Sequence, residues 1–325
     1  MPDAVPWDDI AVPDTDFNVR QVSEKAAVPC FWGRDASGAC LFIVELEGNH
    51  AVQYRRNAIT ARGIDVDLRG EGRGRQRLVL TLGQQVDRDL FAGFCHTLVS
   101  VLEQATDSAS SLAVALTHIR RWKNFLSGHN QRLSSEEVRG LFAELTFLLD
   151  LIDRQPATDA IEAWHGSERS HQDFVFGNTA VEIKSLSGAE RSTVRVSSED
   201  QLESLNDRLF LRVYRLSHLE NAKGARSLNE VVATVQGKLN DAEASEAFDR
   251  KLATCGYVPL PDYDTPCFVV SNVHSYRVEG GFPRLMRSQL PPGIANVSYD
   301  IKLEAIASHE CDGAVVLGVD DGTGR

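Results

Sequence analysis

A short hairpin is the feature of this sequence that most restricts its fold. The stretch DFVFGNTAVEIKSL begins at Asp173 and contains two strand-like runs joined by Gly177 and Asn178. A glycine in the first place of a two-residue loop favours a type II′ turn. Such a turn places Asp173 opposite Glu182, and the alternation of side chains along a strand puts Lys184 on the same face. The side chains expected on the other face, toward a core, are Phe174, Phe176, Val181 and Ile183.

This register would bring two carboxylates and one ammonium group together. Directly opposed residues of a hairpin have Cβ atoms about 5 Å apart, and like charges there destabilise the pair. A hard divalent cation such as Mg²⁺ takes oxygen ligands and would remove that repulsion. A lysine beside it can orient an attacking water or stabilise the charge that develops on a phosphate. The hairpin therefore predicts the groups needed to hydrolyse a phosphodiester, and the alternative is an ordinary solvent-facing strand edge.

A helix is predicted shortly before the hairpin. Ser134 and Glu137 have the spacing of a capping box, and apolar residues then recur at steps of three and four. Those residues are Val138, Leu141, Phe142, Leu145, Leu148, Leu149 and Ile152. Glu144 lies among them, where an acid is costly unless it is paired, metal-bound or protonated. Glu144 is therefore either a third carboxylate of the site or an acid on the helix flank that reaches water.

The pattern along the chain predicts a mixed α/β protein in three regions. Residues 1–130 are expected to be β-rich and then helical, and residues 227–325 to form a mixed α/β extension. Residues 131–226 predict the order helix, strand, strand, strand, helix, strand. In this middle region SEDQLESL is predicted to be the short second helix, and RLFLRVYRL the last strand. The extension is either a separate region or packed as one unit with the middle region.

Composition limits the class of protein. The 325 residues are 42% hydrophobic and 25% charged, which is typical of a globular chain. No apolar run predicts a membrane helix, and the N-terminal segment lacks the pattern of a signal peptide. Six cysteines without a CxxC pair fit reduced thiols in a cytoplasmic protein. The net charge of −12 argues against a general nucleic-acid coat protein, but it does not exclude a DNA enzyme with a local basic surface.

Four stretches together resemble the PD-(D/E)XK nuclease superfamily. They are GLFAEL, HQDFVFGNTAVEIKSL, VSSEDQL and LFLRVYRL, and the resemblance is clearest from about Glu136 to Ser217. More narrowly, they are similar to a bacterial family of PD-(D/E)XK-motif proteins found among restriction and phage-defence genes. The predicted order of elements is similar to a restriction-endonuclease-like αβββαβ core with a mixed central sheet. One departure is Gln172, which stands where the motif has a proline.

The resemblance implies a role for each candidate residue. Asp173 and Glu182 would be ligands of Mg²⁺, for which Mn²⁺ would substitute, and the backbone carbonyl of Ile183 would be a further ligand. Lys184 would position the attacking water. Glu144 matches the accessory acid of the first core helix and would contribute to the metal site.

Other polar residues near the motif have less specific roles. Gln201 lies where some members have a polar residue near the site, although Ser198 and Gln201 also have capping-box spacing. Arg191, Arg195 and Arg212 are either contacts to a DNA backbone or ordinary surface arginines.

The function predicted from the sequence is that of a Mg²⁺-dependent endonuclease acting on DNA in restriction or phage defence, alone or as a subunit. The alternative is a catalytically inactive structural or DNA-binding subunit of a defence complex, and RNA remains open as a substrate. The sequence has no GxxxxGK[ST] loop, so ATP-driven translocation would need a partner. Expected partners are DNA and, in a larger complex, an ATPase or a methyltransferase. Cutting both strands would favour a homodimer, and no membrane contact is expected.

Overall fold

The structure is a computed structural model of the chain. It describes residues 6–22, 26–57, 59, 63–70, 74–83, 86–127, 132–166, 171–188, 192–219 and 222–318. The chain divides into two compact units, one of Met1–Arg132 with Gly256–Pro261 and one of Leu133–Cys255 with Asp262–Arg325. Within the described residues, every helix is too short or too polar to span a membrane.

The first unit is an antiparallel five-stranded sheet with helices. Its elements are β1 (Phe17–Gln21), β2 (Cys30–Asp35), β3 (Cys40–Glu47), α1 (Ala51–Asn57), β4 (Ile64–Arg69), β5 (Arg75–Leu82), α2 (Arg88–Leu102) and α3 (Ser108–Ser127). The strand order is β1-β2-β3-β5-β4. Trp32 of β2 contacts Phe42 of β3 and His96 of α2, with ring centroids 4.9 and 5.1 Å apart. The β-rich start and the helical segment after it confirm the predictions for this part of the sequence.

The second unit carries a mixed sheet. Its elements are α4 (Ser135–Ile152), α5 (Ala157–Ala163), β6 (Phe174–Phe176), β7 (Thr179–Ser187), β8 (Thr193–Val196), β9 (Arg208–His218), α6 (Leu228–Lys238), α7 (Ala242–Thr254), β10 (Phe268–Arg277), β11 (Tyr299–Lys302), β12 (Glu310–Cys311) and α8 (Gly313–Val316). The order is β12-β10-β9-β7-β6, with β7 and β9 parallel and the other neighbours antiparallel. This mixed α/β architecture confirms the predicted nuclease-like fold class.

Helix α4 begins as its sequence predicts and covers one face of this sheet. The hydroxyl of Ser134 accepts the N–H of Glu137, and the Glu137 carboxylate accepts the N–H of Ser134 at 2.8 Å. Phe147 of α4 contacts Phe174 of β6, with ring centroids 4.7 Å apart. The apolar face of the hairpin therefore points into a core under α4, as the register predicted.

The opposite face of the hairpin is also covered, although only in part. Ala180 and Leu186 of β7 are buried in a cluster with side chains of β8, β9 and β11. Strand β8 pairs with β11 in a separate two-stranded sheet, so it is not a strand of the central sheet. Since Ala180 and Leu186 flank Glu182 and Lys184 on this face, the charged pair lies between two apolar neighbours and not on an open strand edge.

The short helix predicted for SEDQLESL is wrong. Residues 199–202 form turns, after a bend at Ser198. The side-chain amide of Gln172 donates to the backbone carbonyls of Asp200, Gln201 and Glu203, at 2.9, 3.2 and 2.9 Å. In a regular helix such carbonyls accept N–H groups four residues later, and here the side chain of Gln172 donates to them.

Candidate active site

The turn of the hairpin sets the predicted register. Gly177 has a φ of 51°, whereas Asn178 has no positive φ, as a type II′ turn requires. The three pairs observed between β6 and β7 are Phe174–Val181, Val175–Ala180 and Phe176–Thr179. Asp173 lies just before β6, where its Oδ2 accepts the N–H of Ile183 at 2.7 Å. The side chain of Asp173 therefore extends the hydrogen bonding between the two strands beyond the last backbone pair.

Glu182 and Lys184 form a buried contact beside Asp173. The Lys184 Nζ lies 2.8 Å from Oε1 of Glu182, and the Glu182 side chain is 2% exposed. The other carboxylate oxygen of Glu182, Oε2, is buried and has no hydrogen-bond partner in the described structure. An unsatisfied buried carboxylate oxygen is costly, and it is available to a ligand.

Gln201 completes the contacts of the lysine. Its Oε1 accepts from Lys184 Nζ at 3.0 Å and from the N–H of Ser197 at 2.8 Å. The capping-box alternative for Ser198 and Gln201 is wrong, because no helix begins there. The turn that replaces the predicted helix thus brings Gln201 to Lys184.

Glu144 of α4 contacts a residue that the sequence did not single out. The indole N–H of Trp164 donates to Glu144 Oε2 at 2.8 Å, and Trp164 is fully buried. The next N–H along the chain, that of His165, donates to the carbonyl of Asp173 at 2.8 Å. The segment after α5 therefore contacts the Glu144 carboxylate and the Asp173 backbone. Its only signal in the sequence was a tryptophan two residues before Gly166.

Replacing Trp164 with phenylalanine is expected to weaken divalent-cation binding about tenfold, the lower range for residues that orient metal ligands. The change keeps the buried ring but removes the donor that orients Glu144 and lowers the pKa of Glu144. Titration calorimetry with Mn²⁺ measures the effect. Trp7→Phe is the matched control, since Trp7 is equally buried and donates one hydrogen bond, to Leu41, in the other unit. Equal affinities for wild type and Trp164→Phe would contradict the role of Trp164.

One pocket gathers the predicted site residues. It has a volume of about 440 Å³ and is lined by Glu144, Asp173, Glu182, Ile183, Lys184 and Gln201, among others. Arg139 of α4 and Arg195 of β8 also line it. Two arginines at a pocket of acids and one lysine provide positive charge for a phosphate-bearing ligand.

Burial controls the ionisation of the acids. It raises the pKa of Glu182 to about 8, with the charge of Asp173 adding to the effect and Lys184 opposing it. Burial also raises the pKa of Asp173 to about 6, against the effects of Lys184 and the Ile183 N–H. The pKa of Glu144 is raised well above its ordinary value by burial and then by Asp173. Burial lowers the pKa of Lys184, but Glu182 and Asp173 outweigh it and the net shift is upward. Further positive charge in the pocket, such as that of a cation, would therefore favour the ionised form of all three carboxyls.

We expect the metal-free protein to lose stability as pH rises through about 6 and about 8. The folded-state pKa values of Asp173 and Glu182 lie above their ordinary values of 3.8 and 4.5, so the folded state binds more protons over that range. The stabilising contribution is complete below the ordinary values and is lost as pH passes the folded ones. Urea unfolding in EDTA at a series of pH values measures it. The difference between wild type and Glu182→Gln isolates Glu182, and a difference independent of pH would contradict the expectation.

The site fits a hard divalent cation. Its candidate donors are oxygens, which Mg²⁺ prefers, and they include the unsatisfied Oε2 of Glu182. The N–H and C=O of a strand residue point to the same edge, so the Ile183 carbonyl lies on the side where Asp173 accepts the Ile183 N–H. No three His, Cys, Asp or Glu side chains of the described ranges already form a metal-binding group. Asp173, Glu182 and the Ile183 carbonyl could hold the ion, with Glu144 beside them.

Arg212 was expected at the surface, and that expectation is wrong. Its neighbour in the parallel pairing of β7 and β9 is Ile183, so it shares the α4 face of the sheet. The side chain is buried and donates to Tyr214 and Ser275 at 3.0 and 3.2 Å, and it pairs with Asp150 at 3.4 Å. Arg212 therefore links β9 to α4 and β10 and is not available to a DNA backbone.

The other two arginines differ from Arg212. Arg195 is exposed, lines the pocket and donates to Ser298 Oγ at 3.2 Å. Arg191 lies outside the described residues.

The mixed sheet, the D…ExK hairpin and the acid Glu144 on α4 define the class of PD-(D/E)XK-like proteins. A family model described as "Putative PD-(D/E)XK family member, (DUF4420)" matches residues 4–304, and the chain belongs to this family. No curated protein and no solved structure matches the chain.

Proposed function

We propose that the protein is a Mg²⁺-dependent endonuclease that hydrolyses DNA phosphodiester bonds. In this proposal it acts in restriction or phage defence, alone or as the nuclease subunit of a complex. The observation that carries the proposal is the buried contact of Lys184 with Glu182 beside Asp173, which leaves the Glu182 Oε2 without a partner. Membership of the PD-(D/E)XK family supports the same reaction class.

The chemistry follows from the groups in the pocket. A bound Mg²⁺, or Mn²⁺ in its place, would supply positive charge at the phosphate and the attacking water. Asp173, Glu182 and the Ile183 carbonyl would hold that ion. Lys184, fixed by Glu182 and Gln201, would orient the water and stabilise negative charge on the phosphate. The water oxygen would attack phosphorus as one P–O ester bond breaks, which gives a phosphate monoester and an alcohol. One proton of the water would pass to the leaving oxygen, and the other would leave to solvent.

Glu144 has a supporting role in this proposal. Its Oε2 accepts from Trp164, so one oxygen is oriented by the protein while the carboxyl lines the pocket. Ionised next to a cation, it would add a third negative charge to the metal site. Its raised pKa in the metal-free protein means that cation binding and loss of a proton are linked.

The second candidate is a catalytically inactive subunit that keeps this fold for assembly or DNA binding. Two observations favour it: Lys184 already neutralises Glu182, and no ready three-residue metal group occurs in the described residues. Titration with Mn²⁺ separates the candidates. An inactive subunit would show no binding that Asp173→Asn removes.

Plasmid cleavage tests the proposal. The purified chain is incubated with supercoiled DNA, linear duplex, single-stranded DNA and RNA of the same sequence, with Mg²⁺, Mn²⁺ or EDTA. The expected result is nicked or linear plasmid with either cation and intact plasmid in EDTA. The assay is repeated with any ATPase or methyltransferase encoded beside the gene, and light scattering tests for a homodimer. Cleavage of RNA alone would show that the substrate is RNA. No cleavage under any of these conditions would overturn the proposal that the protein is a nuclease.

A further inference from the structure

Gln172 is a buried glutamine directly before Asp173. Its side chain is among the buried polar groups, with 6% of the residue exposed. Its amide nitrogen contacts three backbone carbonyls of one turn, those of Asp200, Gln201 and Glu203. A side-chain amide has two N–H donors, so the three carbonyls share them. These contacts connect the segment just before β6 to a turn about thirty residues later.

The turn held in this way carries the residue that contacts the lysine. Gln201 Oε1 accepts from Lys184 Nζ and from the Ser197 N–H. Within the turn, the Gln201 N–H donates to Ser198 at 3.1 Å and the Glu203 N–H to Asp200 at 3.2 Å. Such a turn lacks the regular hydrogen bonds of a helix, and its position depends on contacts with neighbouring elements.

A second set of contacts holds the turn from the C-terminal part of the unit. Arg287 donates to both carboxylate oxygens of Asp200, at 2.8 and 2.9 Å. The buried carboxylate of Glu199 accepts the N–H of Val297 at 2.8 Å. These contacts do not involve Gln172. Without the Gln172 amide the turn would therefore keep its contacts with the C-terminal segment. It would lose three hydrogen-bonding contacts with the segment that leads into Asp173 and keep the exposed pair of His171 with Asp200, 3.8 Å apart.

We propose that Gln172 is a positioning residue that fixes the ammonium group of Lys184 relative to Asp173 by holding the turn that presents Gln201. This inference rests on the proposed nuclease function for its catalytic consequence. The hairpin fixes the backbone of Lys184, but the four-carbon side chain needs a second point of support at its Nζ. Glu182 contacts the Nζ from the same strand, and Gln201 contacts it from the turn. Gln172 ties that turn to the segment just before β6.

The test uses the full chain with Gln172→Met, which keeps the length of the side chain and removes its donors. The matched control is Gln76→Met, because Gln76 is also buried and its amide donates to a backbone carbonyl, that of Gly70, in the other unit. Plasmid cleavage gives kcat and KM for both variants, for Gln201→Ala and for the Gln172→Met/Gln201→Ala double variant. Amide hydrogen exchange is followed at Ser197 and across residues 198–203.

The expected result is a kcat about tenfold lower in Gln172→Met, with an unchanged KM for DNA, since residues that orient a site typically contribute at least that much. The double variant is expected to be no slower than Gln201→Ala, because both changes remove the same support of the Lys184 ammonium group. Exchange at Ser197 and in the turn should be faster in Gln172→Met, while β7 stays protected. Gln76→Met should change stability without changing kcat.

Two results would overturn the inference. One is unchanged exchange at Ser197 and in the turn of Gln172→Met. The other is a kcat of the double variant that is lowered by the product of the two single-variant effects. If the wild type cuts no substrate, the nuclease proposal fails, and hydrogen exchange still decides whether Gln172 holds the turn.

Discussion

Replacing Lys184 with alanine is expected to reduce DNA cleavage by about two to three orders of magnitude, the usual loss when one positioned donor to a transition state is removed. The ammonium group is the positive charge that lies against Glu182 at 2.8 Å and Gln201 at 3.0 Å. Alanine leaves the strand intact, so the protein should remain folded. Single-turnover cleavage of a labelled duplex at saturating protein measures the loss.

A matched lysine separates this effect from a general loss of charge. Lys238 of α6 is exposed and pairs with Asp153, outside the residues that line the pocket. Lys238→Ala should therefore cleave DNA at the wild-type rate. If Lys184→Ala cuts DNA as fast as Lys238→Ala, Lys184 has no role in cleavage.

Replacing Asp173 with asparagine is expected to lower the affinity for Mn²⁺ about a hundredfold or more, because one charged ligand is lost. The asparagine oxygen can still accept the Ile183 N–H that Asp173 accepts at 2.7 Å, so the hairpin register should persist. In the metal-free protein the pKa of Glu182 should fall, since Asp173 is one cause of its increase. Calorimetry and a pH series of unfolding measure the two effects.

The control for this prediction is Asp65→Asn on β4. Asp65 is exposed in the other unit, and the substitution is chemically the same. It should leave Mn²⁺ affinity unchanged. Equal affinities for Asp173→Asn and Asp65→Asn would place any bound ion elsewhere.

Local chemistry made the hairpin and the first core helix predictable. A two-residue turn with glycine in first place and the alternation of side chains were enough to fix the pairing of Phe174 with Val181. The cap of α4 depends on Ser134 and Glu137, three residues apart. In both cases the interacting groups are close in sequence, so the pattern and the structure report the same contacts.

Contacts between distant residues determine what the sequence did not predict. The turn around Gln201 is contacted by Gln172, about thirty residues earlier, which donates to its carbonyls. Trp164, just after α5, contacts Glu144 of α4, twenty residues earlier, and β8 pairs with β11 about a hundred residues later. No short-range periodicity encodes such contacts. They decide which residues support the site and on which face a charge is buried.

The position of Arg212 shows the same limit of sequence-based prediction for a single side chain. In sequence it is a charged residue within a mostly apolar strand, and a charge there suggests a solvent-facing position. The parallel register of β7 and β9 instead puts it beside Ile183, under α4. That register depends on a crossover between strands, and the sequence of β9 alone does not contain it.

The most direct test of the central claim is a crystal of the protein soaked in MnCl₂ and measured for anomalous scattering. The account predicts one Mn²⁺ bound by the carboxylates of Asp173 and Glu182 and by the carbonyl of Ile183, at oxygen distances of about 2.1 Å. Lys184 should then contact Gln201 and face the ion. The contradicting result is no Mn²⁺ in this pocket, with Lys184 still 2.8 Å from Oε1 of Glu182.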